Sequence, residues 1–237
     1  PNGRGGILMG TTTGNSSYAR NNRIGGPTPQ EANVVTGSSV LGIQVAGGGL
    51  GSIGGNNNLV QGNLLGTDPT GAHAIGSNYY GVLISNAPNT RFINNVVSGS
   101  TDDAIEVEGG LSAGTVLQGN KIGTDLTGSN PIPNGGYGII LNPTGSPASY
   151  ATDILVGGTQ TSERNIISAN GKAGIIIFGG NRNRVFNNYI GTRSDGLADP
   201  DRTLGNRTHG IAITSGSDNL IGGTGANEVN VIANNKE

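Results

Sequence analysis

The densest group of chemistry-bearing side chains is Thr101-Asp102-Asp103-Ala104-Ile105-Glu106-Val107-Glu108. Acid–base chemistry by Asp102, Asp103 and Glu106 would sit here. The competing reading is a solvated turn at Asp102 and Asp103, with Glu106 and Glu108 on an outer strand face. Two loops, Gly66-Thr67-Asp68-Pro69-Thr70-Gly71 and Gly123-Thr124-Asp125-Leu126-Thr127-Gly128, could offer Asp68 and Asp125 to a calcium ion. A third copy, Gly191-Thr192-Arg193-Ser194-Asp195-Gly196, has Arg193 where Asp stood. Calcium takes about 6–8 oxygen ligands, so one carboxylate per loop is poor provision, and capping of the loop's own turn is the competing role. Tyr79, Tyr80 and Tyr137 could stack on sugar rings, or pack at corners. There is no Cys, no Gly-x-Ser-x-Gly elbow and no phosphate loop, which removes thiol, serine-elbow and nucleotide chemistry.

These side chains must be carried by a repetitive frame. Among 237 residues there are 45 Gly and 30 Asn, with only 12% charged and 4% aromatic residues. The apolar residues fall in short regular groups, which fits a thin, elongated core. A Gly-led apolar-x-apolar unit occurs at Gly6-Ile7-Leu8-Met9, Gly42-Ile43-Gln44-Val45 and Gly81-Val82-Leu83-Ile84. It continues at Ala104-Ile105-Glu106-Val107, Gly138-Ile139-Ile140-Leu141, Gly174-Ile175-Ile176-Ile177 and Gly210-Ile211-Ala212-Ile213. A second unit places Asn three residues before Gly, at Asn63, Asn120 and Asn188. A third joins a Gly pair to Asn33, Asn165 and Asn230, each opening a short apolar strand.

Strand alternation, not helical periodicity, describes these units. A strand that returns one coil later in the same direction pairs in parallel, with a right-handed crossover. The expected architecture is all-β: a right-handed single-stranded parallel β-helix of about seven coils, rising about 4.8 Å per coil. Ile7, Ile43, Val82, Ile105, Ile139, Ile175 and Ile211 should form one buried ladder. Met9, Val45, Ile84, Val107, Leu141, Ile177 and Ile213 should form a second. The middle residues then face out, and Leu83, Ile140, Ile176 and Phe178 make an apolar patch suited to lateral self-association, unless the chain covers it.

The repeats run end to end, so 1–237 is read as a single domain. Neither end carries a polar capping repeat, and the last unit stops two residues short of its Gly-strand. The expectation is a segment of a longer array or a unit that stacks head to tail. No basic patch offers a nucleic-acid footprint, and no apolar stretch approaches a membrane span. Asn15-Ser-Ser and Asn206-Arg-Thr match the glycosylation acceptor pattern.

The motifs resemble the right-handed parallel β-helix repeats of the pectate-lyase-like superfamily, above all the arrays of large bacterial secreted or surface proteins. The stretches that carry this are Gln61 to Gly71, Gln118 to Gly128, and Val156-Gly157-Gly158-Thr159 followed by Asn165-Ile166-Ile167-Ser168. The resemblance implies secretion or surface display and a structural, adhesive or filament-forming role, with polysaccharide a possible partner. The superfamily also contains polysaccharide lyases and hydrolases. The Asp102-Asp103 strand resembles the acid–base element of polygalacturonases, and Arg207-Thr208-His209-Gly210 their His-Gly element. Here Asp103 and His209 lie 106 residues apart, with three strand units between, whereas the resemblance calls for about one coil. The basic residues nearest the cluster in sequence are Arg91 and Lys121, so a structural role is expected over an enzymatic one.

Overall fold

The computed structural model describes residues 3–11, 19–47, 55–76, 78–145 and 148–237. It is a right-handed parallel β-helix with almost no helix, about 4%. Three parallel sheets run the length of the stack, and each coil gives one strand to each. The first sheet stacks Gly5–Gly10, Leu41–Ala46, Tyr80–Ser85, Ile105–Glu108, Ile139–Thr144, Ile175–Phe178 and Ile211–Ser215, with Ser149–Tyr150 folded back antiparallel onto Ile139–Thr144. The second runs from Arg23–Gly25 to Leu220–Ile221, and the third from Val34–Val35 to Val231–Ile232. No helix is long and apolar enough to cross a membrane.

The apolar-x-apolar units form the first sheet because alternation sends their flanking residues inward. Both expected ladders are present in register, Ile7↔Ile43↔Val82↔Ile105↔Ile139↔Ile175↔Ile211 and Met9↔Val45↔Ile84↔Val107↔Leu141↔Ile177↔Ile213. From Ile43 to Ile175 and Val45 to Ile177 every member is fully buried. Opposite them stand Val60, Phe92, Leu117, Val156 and Val185 of the second sheet, and Leu65, Val97, Ile122, Ile167 and Ile190 of the third. Outer rungs are open by comparison, with Leu8 54% and Ile213 45% exposed.

Polar corners hold the coils in register. Asn33, Asn63, Asn95, Asn120, Asn165, Asn188 and Asn230 form one continuous ladder. Each Asn except the last donates its backbone N–H and its Nδ2 to the Oδ1 of the next, at 2.8–3.3 Å. From Asn63 on, each Nδ2 also donates to a carbonyl one coil back: Ile24, Val60, Phe92, Leu117, Val156 and Val185 in turn. The two sequence motifs that ended in Gly or began after a Gly pair are thus one spatial row. A second ladder, Asn134–Asn170–Asn206–Asn235, closes the corner before the first sheet.

Gly66, Gly123 and Gly191 follow the third-sheet strands at φ +82°, +80° and +77°. A Cβ there would collide with the carbonyls of Ser98, Ser168 and Ala233 in the next coil, so only Gly serves.

Two stability results follow. Ile175→Asp places an unpaired charge in a sealed ladder and costs more than about 3 kcal/mol in urea unfolding. Asn120→Ala takes the acceptor from the Asn95 backbone N–H and one donor from the Phe92 carbonyl, and costs about 1–3 kcal/mol. Wild-type stability in either variant would show that the ladder does not hold the stack.

Candidate functional site

The site is the outer face of the first sheet where coils three to six cross it. Two rows of residues enter that face just before the strands. Backbone bonds order one row as Tyr79, Asp102, Gly136, Lys172 and Thr208, and the next as Asp103, Tyr137, Ala173 and His209, with Tyr80 heading it. On the strands, Leu83, Glu106, Ile140, Ile176 and Ala212 follow one another in register. The turn at Asp102-Asp103 fits because Gly135-Gly136 stand in the next coil: a Cβ on Gly136 would strike both carboxylates.

The acidic cluster is built into the wall rather than left in solvent. Asp103 is only 7% exposed, and its Oδ1 accepts the Tyr137 N–H at 2.7 Å. This corrects the expectation of a solvated turn for Asp103. Asn142 donates to Glu106 at 2.7 Å, and the Ser85 hydroxyl to Glu108 at 2.6 Å. Burial is the main cause that pushes the Asp103 and Glu106 carboxyls above their ordinary range. Burial, then the nearby Asp102 charge, pushes the Tyr80 phenol up to about 12.

The fold supplies a basic partner that sequence distance concealed. Lys172, two coils beyond Asp102, brings its Nζ to 3.5 Å from the Asp102 carboxylate. The same ammonium lies 4.7 Å from the centroid of the Tyr137 ring. Arg91 belongs to the second sheet and Lys121 to the third, so neither is the partner. His209 stands three rungs from Asp103, about 14 Å at one strand spacing per rung, and faces Glu237 at 3.8 Å. The polygalacturonase-like pairing of those two residues is therefore not assembled.

Of the aromatic candidates, Tyr79 is 45% exposed and meets Tyr80 edge to face at 4.7 Å. Tyr137 meets Phe178 edge to face at 6.0 Å. These two rings come from positions on either side of the row that holds Ile140 and Ile176, which are only 5% and 6% exposed. The apolar patch thus faces outward as expected but is not open. Leu83 and Phe178 remain half-buried.

Asp68 and Asp125 lie away from this face, in loops joined to the third sheet. Asp68 accepts the Thr70 hydroxyl at 2.8 Å and the Ala72 N–H at 3.0 Å. Asp125 accepts from Thr127, from the Ser129 N–H, and from the backbone and side chain of Asn130. The Thr70 hydroxyl above all holds Asp68 below the usual carboxylate range. Burial pushes Asp125 up, but its hydrogen bonds outweigh that and hold it low. Among the described residues, no three His, Cys, Asp or Glu side chains converge as a metal-ligand group.

The glycosylation pattern at Asn206 is occluded. Asn206 is fully buried, and its Nδ2 donates to Ile167 and Asn235. Asn15 lies outside the described residues. Grooves of about 530 Å³ beside Leu8, Val40 and Gln44, and about 330 Å³ between Pro29, Leu64 and Leu126, do not include the carboxylates. No protein-family model, curated protein or solved structure matches the chain.

The shifted carboxyls give opposite pH behaviour. A raised folded-state carboxyl favours the fold when protonated, and that contribution is lost as pH climbs from the ordinary values of 3.8 for Asp103 and 4.5 for Glu106 through their higher folded values. Asp103→Asn keeps an acceptor for Tyr137, removes part of that loss, and should melt at or above wild type at neutral pH. Asp125 is lowered, so its contribution is present above 3.8 and fades as pH falls. Asp125→Ala should cost about 1–3 kcal/mol at neutral pH, and less in acid. Thermal melts across pH check both signs.

Proposed function

We propose that the chain is an extracellular or cell-surface structural solenoid of the pectate-lyase-like kind, and that the outer face of its first sheet is an adhesive surface for polysaccharide. The observation that carries this reading is the state of the acidic cluster. Asp103, Glu106 and Glu108 each accept a hydrogen bond from the wall, and Asp102 faces Lys172. Each of these carboxylates is anchored to the wall and so helps shape the surface, whereas a general acid or base has also to present a proton or lone pair to a substrate. Tyr79 and Tyr80, with Tyr137 two coils on from Tyr80, give that surface the aromatic rings on which sugar rings stack. Self-association, by stacking or side to side, belongs to the same proposal, and light scattering and electron microscopy measure it.

One observation favours polysaccharide lyase or hydrolase chemistry instead. Asp103 and Glu106 both hold their protons more tightly than usual, and a lysine stands beside Asp102. The two readings separate on one pair of measurements. Incubation with neutral, acidic and amine-bearing polysaccharides should release no product, while affinity electrophoresis should show retention that Tyr79→Ala weakens about five-fold. Product formation abolished by Asp103→Asn would replace the adhesive reading with the enzymatic one.

A further inference from the structure

The row that carries the aromatic residues has a chemical asymmetry. From Tyr80 to Tyr137 is two rungs, about 10 Å along the stack, with Asp103 between and Asp102 beside it. Glu106 and Glu108 stand on the next strand positions of the same coil. Three carboxylates, Asp102, Asp103 and Glu106, therefore act on the Tyr80 phenol, while one ammonium, that of Lys172, stands at the Tyr137 ring. A uronate polymer laid along this row would meet like charge.

Lys172 shows what the row accepts. Its ammonium sits between a carboxylate at 3.5 Å and the face of an aromatic ring at 4.7 Å. Its side chain is 45% exposed and belongs to a coil two steps away from Asp102. An exposed ion pair and an exposed cation–π contact are each weak, so another ammonium can take this place at small cost.

We propose that Tyr137 and Asp102 form a receptor for the primary amine of a hexosamine polymer lying along the solenoid axis, and that Lys172 fills this receptor in the free protein. The inference rests on the polysaccharide-binding reading and names its ligand class. Tyr80 and Tyr137 stack the sugar rings, Asp102 takes the amine, and Lys172 swings aside into solvent. Lys172 is then a competitor of the ligand, so its removal strengthens binding, the reverse of what a lysine that contacts the glycan would show.

Titration calorimetry on the full chain tests this with three probes: a glucosamine hexamer, its fully N-acetylated counterpart and an oligogalacturonate of equal length. The glucosamine hexamer should bind about ten-fold more tightly than the acetylated one and weaken with added salt. The oligogalacturonate should not bind. Lys172→Ala should tighten the glucosamine hexamer about three- to five-fold, and Asp102→Asn should weaken it at least as much. Circular dichroism melts establish that each variant is folded. Tyr137→Leu is a second weakening variant, and Asp102→Asn decides if that one unfolds. Equal binding of the amine and its acetylated form overturns the inference and leaves the polysaccharide reading standing. Weaker or unchanged binding in Lys172→Ala overturns the lysine's role as competitor. Binding of none of the three probes overturns the polysaccharide reading and the inference with it.

Discussion

A buried amide that needs the coils on both sides of it to be fully satisfied is the constraint on which this structure depends. Asn63, Asn95, Asn120, Asn165 and Asn188 are almost fully inaccessible to solvent. Each has two amide hydrogens and an acceptor to place, and an unpaired buried polar group costs about 1–3 kcal/mol. The carbonyl one coil back and the amide one coil on are the partners at hand. A coil that slipped by one residue would leave those groups unpaired and also turn its apolar residues outward. Amide ladder and aliphatic ladders therefore enforce the same register, and neither can be satisfied within a single coil.

The loops obey that rule from outside. Loops at Gly66–Gly71, Gly123–Gly128 and Gly191–Gly196 emerge from every second coil, and each lies over the outer face of the third sheet. The Leu126 N–H donates to the Gly71 carbonyl, and the Ser129 and Ser194 hydroxyls meet at 2.8 Å. The closing glycines press flat on what they cover: Gly71 near Leu64, Gly128 near Ile166 and Lys121, and Gly196 on the Tyr189 ring. Burial of the Lys121 stem lowers its ammonium from the usual range. Asp68 and Asp125 hold these covers in shape through their turn hydrogen bonds, a local task that accounts for Asp in both loops.

The period of the apolar pattern made the sheet, the coil number and both aliphatic ladders readable, because side-chain direction in a strand follows from position alone. Each row of side chains could be predicted wherever the strand register carried it. The unity of the asparagine ladder was hidden, because Asn63 and Asn33 follow different turns and Asn95 sits in neither motif. The Lys172–Asp102 pair was hidden for a related reason. Neighbours across a solenoid are separated by whole coils whose lengths vary with their loops, so 70 residues of sequence become two rungs of space. The burial of Asp103, Ile140 and Ile176 was also unreadable, since it depends on where the Tyr137 ring turns and on a glycine pair in another coil.

Inside the solenoid, one position holds the same residue class in coil after coil, because each must satisfy an almost identical neighbour. On the outer first-sheet face that requirement lapses, and the sequence departs from repetition. One row reads Leu8, Gln44, Leu83, Glu106, Ile140, Ile176 and Ala212, where the row beneath is aliphatic throughout. Stacking alone would accept any strand-forming side chain at those outward positions. Placing Glu106 among Leu83 and Ile140 moves a carboxylate partly out of water and lifts its proton affinity, a cost that stacking does not require. The same coil puts Asp103 under Tyr137, again at the expense of burying a charge. The Asp103 cost is offset in part by the bond it accepts from the Tyr137 N–H of the next coil, while the bond Glu106 accepts comes from the Asn142 side chain. Both costs fall together on this one face, between Tyr79 and Lys172.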